Sequence, residues 1–334
     1  MMNQKKKILL LTTGGTIASL SSSEGLVPGL NGSGLASHLS GITDNYDISV
    51  KDILHLDSSN IQPEEWVIIA GHIHENYKQF DGIVITHGTD TMAYTASVLT
   101  FILQNIPIPV VITGSQLPLA HPLTDAVDNL RYAFAMASSG IGGIYLAFNR
   151  KIILGCRAVK IRTTGFDAFE SVNYPYIATI DSTGLNINHP AIPEKTGEPM
   201  YLNKLCSDVF LIKLTPGLNP KIFDMLVGLN YKGIVIEAFG AGGLHFIHRD
   251  LISKLEKVIE RGIPIVISSQ CLYERSDLSI YQTGQLALKQ GVIQAYDMTT
   301  EAAVTKLIWA LGQTSNLSHI REIFATSYAG EITI

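Results

Sequence analysis

The sequence predicts an α/β protein with a larger N-terminal and a smaller C-terminal domain, each built on a mainly parallel sheet. Three observations carry that expectation. Short, almost wholly apolar runs rich in β-branched residues recur along the chain, as strands covered on both faces require. They alternate with longer segments of helical periodicity, the pattern of right-handed strand–helix–strand crossovers. The 334 residues, 46% hydrophobic and 16% charged, suffice for about two cores of ordinary size.

In chain order, the first run is Ile8–Thr12, preceded by Lys5-Lys6-Lys7. Lysines ahead of an apolar run also open an export signal, but Ile8-Leu9-Leu10-Leu11 is shorter than the roughly 7–15 residues such a signal uses. A strand with lysines at its solvent end, in a cytoplasmic protein, is the expectation. A helix over Pro63–Gln79 starts with Gln62-Pro63-Glu64-Glu65, proline and acids in a first turn. Strand Gly82–Thr86, helix Thr91–Gln104, strand Val110–Thr113, helix Thr124–Ser138 and strand Gly143–Phe148 follow. From Gly184 to Ser207 the periodicity lapses and three prolines appear, which favours an extended connector. The expected organisation is therefore residues 1–188, a linker over 189–208, and a second α/β domain over 209–334; a surface loop within one domain is the alternative. Strands Val209–Leu214, Gly233–Glu237 and Ile263–Ser268 and helices Pro220–Gly228, Asp250–Arg261 and Thr300–Gly312 fill that second domain. Asn219-Pro220 resembles a cap followed by proline.

Composition excludes several classes. No apolar stretch approaches the roughly 18 residues needed to cross a bilayer, so no membrane partner is expected. With 29 acidic against 24 basic side chains, a net charge of −5 and no basic stripe, nucleic acid is a poor partner. Cys156, Cys206 and Cys271 form no CxxC pair and too small a set for a disulfide framework, consistent with a reducing compartment. His72 and His74, two apart, would point to different faces of a helix, and His245 and His248 lack a clear third ligand. No metal site and no cofactor are expected.

Two turns carry the chemistry. Thr12-Thr13-Gly14-Gly15-Thr16-Ile17-Ala18-Ser19 leaves the first predicted strand, and Thr86-His87-Gly88-Thr89-Asp90-Thr91-Met92-Ala93 leaves another and opens a helix. In parallel sheets ligands gather beyond the carboxyl ends of strands. Glycines let the backbone approach a ligand, while hydroxyls supply donors and nucleophiles. Neither turn is a Walker A loop or a dinucleotide fingerprint. Turn glycines and capping threonines are the plainer reading, Thr89 or Asp90 fitting an N-cap. Lys160, in the alternating stretch Cys156-Arg157-Ala158-Val159-Lys160-Ile161-Arg162, adds a third group. A partly buried lysine near a carboxylate is tunable for proton transfer, and threonine, lysine and aspartate together make a nucleophile–base–orienter set; a salt-bridged strand lysine is the alternative.

Thr13-Gly14-Gly15-Thr16-Ile17-Ala18, followed about seventy residues later by His87-Gly88-Thr89-Asp90-Thr91, resembles the two signatures of the bacterial-type L-asparaginases. The likeness extends along the chain through Leu56-Asp57-Ser58-Ser59-Asn60, Gly165-Phe166-Asp167-Ala168-Phe169-Glu170-Ser171, Ser268-Ser269-Gln270-Cys271 and Gly330-Glu331-Ile332-Thr333, in the manner of the cytosolic (type I-like) branch. The resemblance implies hydrolysis of L-asparagine to L-aspartate and ammonia in a homodimer or homotetramer, with no cofactor. It implies Thr16 as the nucleophile that becomes a β-aspartyl ester, and Thr89, Lys160 and Asp90 as a hydrogen-bonded triad. Asp90 would also bind the substrate's α-ammonium, and Ser58, with the Asp57–Ser59 turn, its α-carboxylate. The chemistry suits these residue types, since a covalent route divides a hard amide cleavage into two steps and backbone N–H groups near Thr89 could face the oxyanion.

One departure concerns the loop after the nucleophile. Many secreted relatives carry a tyrosine there, whereas Ser19-Leu20-Ser21-Ser22-Ser23-Glu24-Gly25-Leu26-Val27-Pro28 has none and Leu26 takes its place. Glycine and serine still suit a lid. Tyr281, in Ser279-Ile280-Tyr281-Gln282-Thr283-Gly284, aligns with a tyrosine that some cytosolic relatives bring from a neighbouring subunit; an interface aromatic is the alternative, and Tyr273 the next candidate. Two other functions remain: the amidase subunit of a tRNA amidotransferase, for whose usual extra N-terminal domain the first signature at Thr12 leaves no room, and a non-catalytic amino-acid sensor. Asparagine and glutamine differ by one methylene, worth only about 1–3 kcal/mol, so weak glutaminase activity is compatible with the sequence.

Overall fold

A computed structural model of the chain describes residues 5–22, 25–28 and 45–333, without the side chains of 18–28. The chain divides into two compact units, Met1–Tyr201 and Leu202–Ile334.

The first unit is built on an eight-stranded sheet: β1 (Lys6–Gly14), β4 (Tyr46–Leu56), β5 (Gly82–Thr86), β6 (Pro109–Thr113), β7 (Gly143–Phe148), β8 (Lys151–Leu154), β11 (Ala178–Asp181) and β12 (Gly184–Ile187), in spatial order β12-β11-β8-β7-β6-β5-β1-β4. Strands β4, β1, β5, β6 and β7 are parallel. Every residue of β5 and β6 is buried, which is why these strands read as continuous apolar runs. The predicted parallel sheet is mixed at one end. Asn149 and Arg150, both in the left-handed region (φ 44° and 63°), form a two-residue reversal that pairs Phe148 with Lys151, and β8, β11 and β12 continue antiparallel. The edge strand β4 alternates Ile, Val and Leu with Asp, Ser, Lys and His, so it presents no apolar run to the eye.

Among the described residues, three helices fill the crossovers. Helix α1 (Pro63–Asn76) has the predicted proline start and a capping box between Gln62 and Glu65. In α2 (Met92–Ile102) every residue but Tyr94 is buried, as for a helix pressed onto a sheet. Helix α3 (Ala126–Ala137) completes the set. Beside the sheet, β9 (Ala158–Lys160) and β10 (Phe169–Ser171) pair antiparallel, with Lys160 opposite Phe169. After the first signature, β2 (Ser19–Ser22) and β3 (Gly25–Pro28) form a hairpin, with Ser21 opposite Leu26; Ser23, Glu24 and the Leu26 side chain lie outside the described residues. Residues 189–201 fasten to this unit through Lys195 Nζ donating to Ile106 O (2.9 Å), Met200 N to Gln104 O (2.9 Å), and a His74–Tyr201 ring stack at 4.3 Å.

The second unit carries a parallel sheet, β13 (Val209–Lys213), β14 (Gly233–Ala238), β15 (Ile265–Ser269) and β16 (Ile293–Gln294), in sequential order. Helices α4 (Lys221–Gly228), α5 (Ile252–Ile259), α6 (Gln282–Lys289), α7 (Thr300–Gln313) and α8 (Leu317–Ala325) surround it. Phe223, Leu226, Leu251, Leu255, Ile236 and Ile267 lie in its core. Helix α7 is capped by Thr299 Oγ1, which accepts from Ala302 N (3.0 Å). Among the described residues no helix is long and apolar enough to cross a membrane.

Candidate active site

Four turns leave the carboxyl edge of the first sheet from neighbouring strands: 57–60 after β4, 14–18 after β1, 87–91 after β5 and 114–117 after β6. The chain places β4 on one side of β1 and β5 on the other, so the strand order reverses at β1. At such a switch point a crevice opens beyond the strand ends.

Glycines allow the turns to meet. A Cβ on Gly15 would stand 2.4 Å from Gly88 N, one on Gly14 2.4 Å from Leu56 O, and one on Gly88 2.5 Å from Ser58 Oγ. Gly14 and Gly15 sit at φ +106° and +81°, conformations that favour glycine, and Gly15 N donates to Leu56 O (3.0 Å). The first threonine turn therefore lies backbone to backbone against the second. Thr16, half-buried, follows this contact at the start of a short 3-10 turn, Thr16–Ala18.

Around the second turn the side chains converge. Lys160, at the end of β9, donates from Nζ to Thr89 Oγ1 (2.8 Å) and to Asp90 Oδ1 (2.6 Å). Thr89 is buried, whereas the Asp90 side chain is 63% exposed, leaving carboxylate open to a ligand beyond the oxygen Lys160 holds. Asp90 N donates to Ser58 Oγ (3.2 Å) and Thr91 Oγ1 to Ser58 O (2.7 Å), tying the second turn to 57–60. Asp57 accepts from Ser59 N (2.8 Å) and Ser59 Oγ (2.6 Å), bonds that hold its carboxyl below the usual range. The N-cap position of α2 is Thr91, so neither Thr89 nor Asp90 is spent on capping. Thr89, Asp90, Lys160 and Ser58 are thus joined directly, Asp57 and Ser59 flank Ser58, and Thr16 adjoins through Gly15. Tyr281 belongs to the second unit, 61% exposed at the residue preceding α6.

Two contributors went unread in the sequence. His87 is wholly buried beneath the second turn. Its Nδ1 faces Gly88 O (2.7 Å), which can only accept, so Nδ1 carries the proton and Nε2 accepts from Thr95 Oγ1 (2.9 Å), itself an acceptor for Trp66 Nε1 (3.0 Å). Burial holds the imidazole neutral, its pKa down to about 4. Gln116 Oε1 accepts from Thr89 Oγ1 (3.3 Å). It lies in Thr113-Gly114-Ser115-Gln116, a hydroxyl- and glycine-bearing turn after the next strand, and the strand-end rule applied there too would have singled it out. No group of three His, Cys, Asp or Glu is placed to hold a metal among the described residues.

Comparison with known proteins places these turns in a family. Residues 7–193 match the family described as asparaginase, N-terminal, and residues 208–324 the glutaminase/asparaginase C-terminal domain. The chain belongs to the asparaginase family. It is 46% identical over 330 residues to an L-asparaginase of Thermococcus kodakarensis, covering 98% of this chain and 99% of that one. The solved structure of the thermostable L-asparaginase from that organism superposes with a TM-score of 0.92 over 98% of this chain and 99% of the other, at 45% identity. L-asparaginase 1 of Escherichia coli K12 is 34% identical, with 99% of each chain covered. One component of the glutamyl-tRNA(Gln) amidotransferase of Methanosphaera stadtmanae is 36% identical over 99% of this chain and 77% of its own.

Proposed function

We propose that this protein is an amidohydrolase that converts L-asparagine to L-aspartate and ammonia. The observation that carries the reading is the junction of the Thr89–Lys160–Asp90 cluster with the Gly14-Gly15-Thr16 turn at one switch point. Thr16 Oγ attacks the side-chain amide carbon, the C–N bond breaks and ammonia departs, leaving a β-aspartyl ester; water then cleaves that ester and restores the hydroxyl. Backbone N–H groups near Thr89 face the developing oxyanion, where each donor is worth about 100–1,000-fold in rate. The exposed Asp90 carboxylate receives the α-ammonium, and the Asp57–Ser59 turn the α-carboxylate. Lys160 donates to both Thr89 and Asp90 and so keeps the two at fixed separation. The chain's own side chains and backbone supply every role in this scheme, with no cofactor. Tyr281, exposed in the second unit, is proposed to complete the site of a neighbouring copy in a homodimer or homotetramer.

The 36% identity to the amidotransferase component gives the alternative reading, release of ammonia for a partner enzyme acting on tRNA. The higher identity to the Thermococcus L-asparaginase and the net charge of −5 favour free asparagine. Ammonia release from L-asparagine, L-glutamine and D-asparagine by the purified protein tests both. Turnover of L-asparagine alone, lowered about 1,000-fold or more by Thr16→Ala and by Thr89→Val, is expected. Turnover only with the partner enzyme and tRNA would select the amidotransferase, and binding without turnover a sensor. Tyr281→Phe at full activity would remove the tyrosine from the scheme.

A further inference from the structure

Gln116 occupies a place in the site that fixes the direction of a hydrogen-bond chain. Its Nε2 faces two backbone carbonyls, Thr163 O (3.2 Å) and Gly165 O (3.0 Å). Carbonyls only accept, so the NH2 end of the carboxamide must point to them and Oε1 must point to Thr89. Oε1 in turn only accepts, so Thr89 donates its proton toward Gln116, while its oxygen accepts from the Lys160 ammonium. The chain runs one way: Lys160 Nζ to Thr89 Oγ1 to Gln116 Oε1, then from Gln116 Nε2 to residues 163 and 165. The backbone of Gln116 is anchored as well. Its N–H donates to both oxygens of Asp125 (3.0 and 3.1 Å), a carboxylate that also accepts from Leu117 N (3.1 Å) and Asn129 Nδ2 (3.0 Å).

We propose that Gln116 is a positioning residue for amide hydrolysis, its carboxamide setting the rotamer and proton direction of the Thr89 hydroxyl. The inference rests on the function proposed above. By accepting the hydrogen bond of the hydroxyl, Gln116 leaves the lone pairs of Thr89 for Lys160 and for the reacting group. The same carboxamide couples Thr89 to the 163–165 backbone, the stretch that returns from Lys160 toward β10. Without the acceptor, the hydroxyl is free to turn its proton elsewhere and loses the alignment on which the chemical step depends. Gln116 makes no contact with the Asp57–Ser59 turn among the bonds described, so ground-state binding of the amino-acid end is separate from this task.

The test is a double-mutant cycle of Gln116→Met, which keeps volume and removes both hydrogen-bonding ends, with Thr89→Ser, whose side chain lacks the methyl that restricts χ1. Gln116→Met is expected to lower kcat for L-asparagine about 10- to 100-fold, the scale of small misalignments. KM and the calorimetric Kd for L-aspartate should stay within about threefold, since a loss confined to kcat marks an interaction used in the chemical step. The fall should be larger in the Thr89→Ser background, where the hydroxyl depends more on Gln116. Gln116→Asn, one methylene too short to reach both sides, replaces Gln116→Met if the latter fails to fold by circular dichroism, and the same split is expected. An unchanged kcat, a loss carried by KM and Kd, or additive effects in the cycle would each overturn the proposal. A wild-type protein that releases no ammonia would instead overturn amide hydrolysis itself, and this role with it.

Discussion

Two lysines show how one ion-pair chemistry serves two purposes. Lys306 Nζ and the Glu331 carboxylate are 2.6 Å apart with neither side chain exposed. Glu331 also accepts from Tyr328 N and Ala329 N, and Lys306 donates to Thr326 O, so each charge is solvated by protein. Lys160 and Asp90 are equally close, but Asp90 is largely in solvent, where pairing is screened and weak. Lys306→Met should therefore cost about 3–5 kcal/mol by stranding a buried carboxylate. Lys160→Met should cost less than about 1 kcal/mol while removing turnover. Denaturant unfolding of both variants beside an ammonia assay measures the contrast, and equal destabilisation would contradict it. Lys160 was legible as a candidate because its apolar neighbours in an alternating stretch pointed to partial burial, although nothing in the sequence placed it beside either signature. Gln116 was passed over: its turn carries the same strand-end signal as the two threonine turns, but the sequence does not show what its carboxamide faces.

At the scale of elements, the strands buried on both faces and the helices laid over them were read to within a few residues, since burial forces their composition. Several of the strands that escaped are only partly buried, and β8, which is buried, escaped for its position after a tight reversal. The edge strand β4 and the antiparallel β11 and β12 alternate apolar with polar residues, and β8 follows a reversal made by Asn149 and Arg150. Helices α6 and α8 went unread too; α8 depends for its start on Asn316, which accepts from Ser318 N and His319 N, a local bond rather than a long apolar stripe. Proximity of the two threonine turns was the element-scale feature that no local pattern could reveal, because it depends on strand order. Gly15 is its sharpest test. An alanine there must place Cβ within 2.4 Å of Gly88 N from a backbone at φ +81°, and backbone cannot yield as a flexible side chain does. Gly15→Ala is expected to separate the turns and lower kcat/KM by about 100-fold or more. Gly184→Ala, also at positive φ but with open space around it, serves as the control for strain alone. Comparable losses in activity would show that the close approach is not what matters.

For the molecule as a whole, two titratable groups shifted by desolvation give the two units opposite responses to pH. In the first, burial holds His87 down to about 4, against the opposing pull of its bond to Gly88 O, while an unfolded histidine titrates near 6.5. The unfolded chain takes up that proton first, so the stability His87 confers is complete above about pH 6.5 and is lost as pH falls toward 4. In the second, Glu301 at the start of α7 is pushed up to about 7, chiefly by burial and further by the nearby Glu237 carboxylate, while its own backbone and Thr299 pull the other way; unfolded, it titrates near 4.5. Here the folded state holds the proton longer, so the stabilising effect is complete below about pH 4.5 and is lost as pH rises through 7. Between these limits acid weakens the first unit and strengthens the second. Hydrogen exchange followed separately in β5 and in α7 across this range resolves the two slopes, since local protection reports each unit's own opening. His87→Gln should flatten the acid-side loss in β5 and leave α7 unaffected, and Glu301→Gln should flatten the alkaline-side loss in α7 alone. Parallel slopes in the wild type, or a substitution that alters both units equally, would show that the two do not titrate independently.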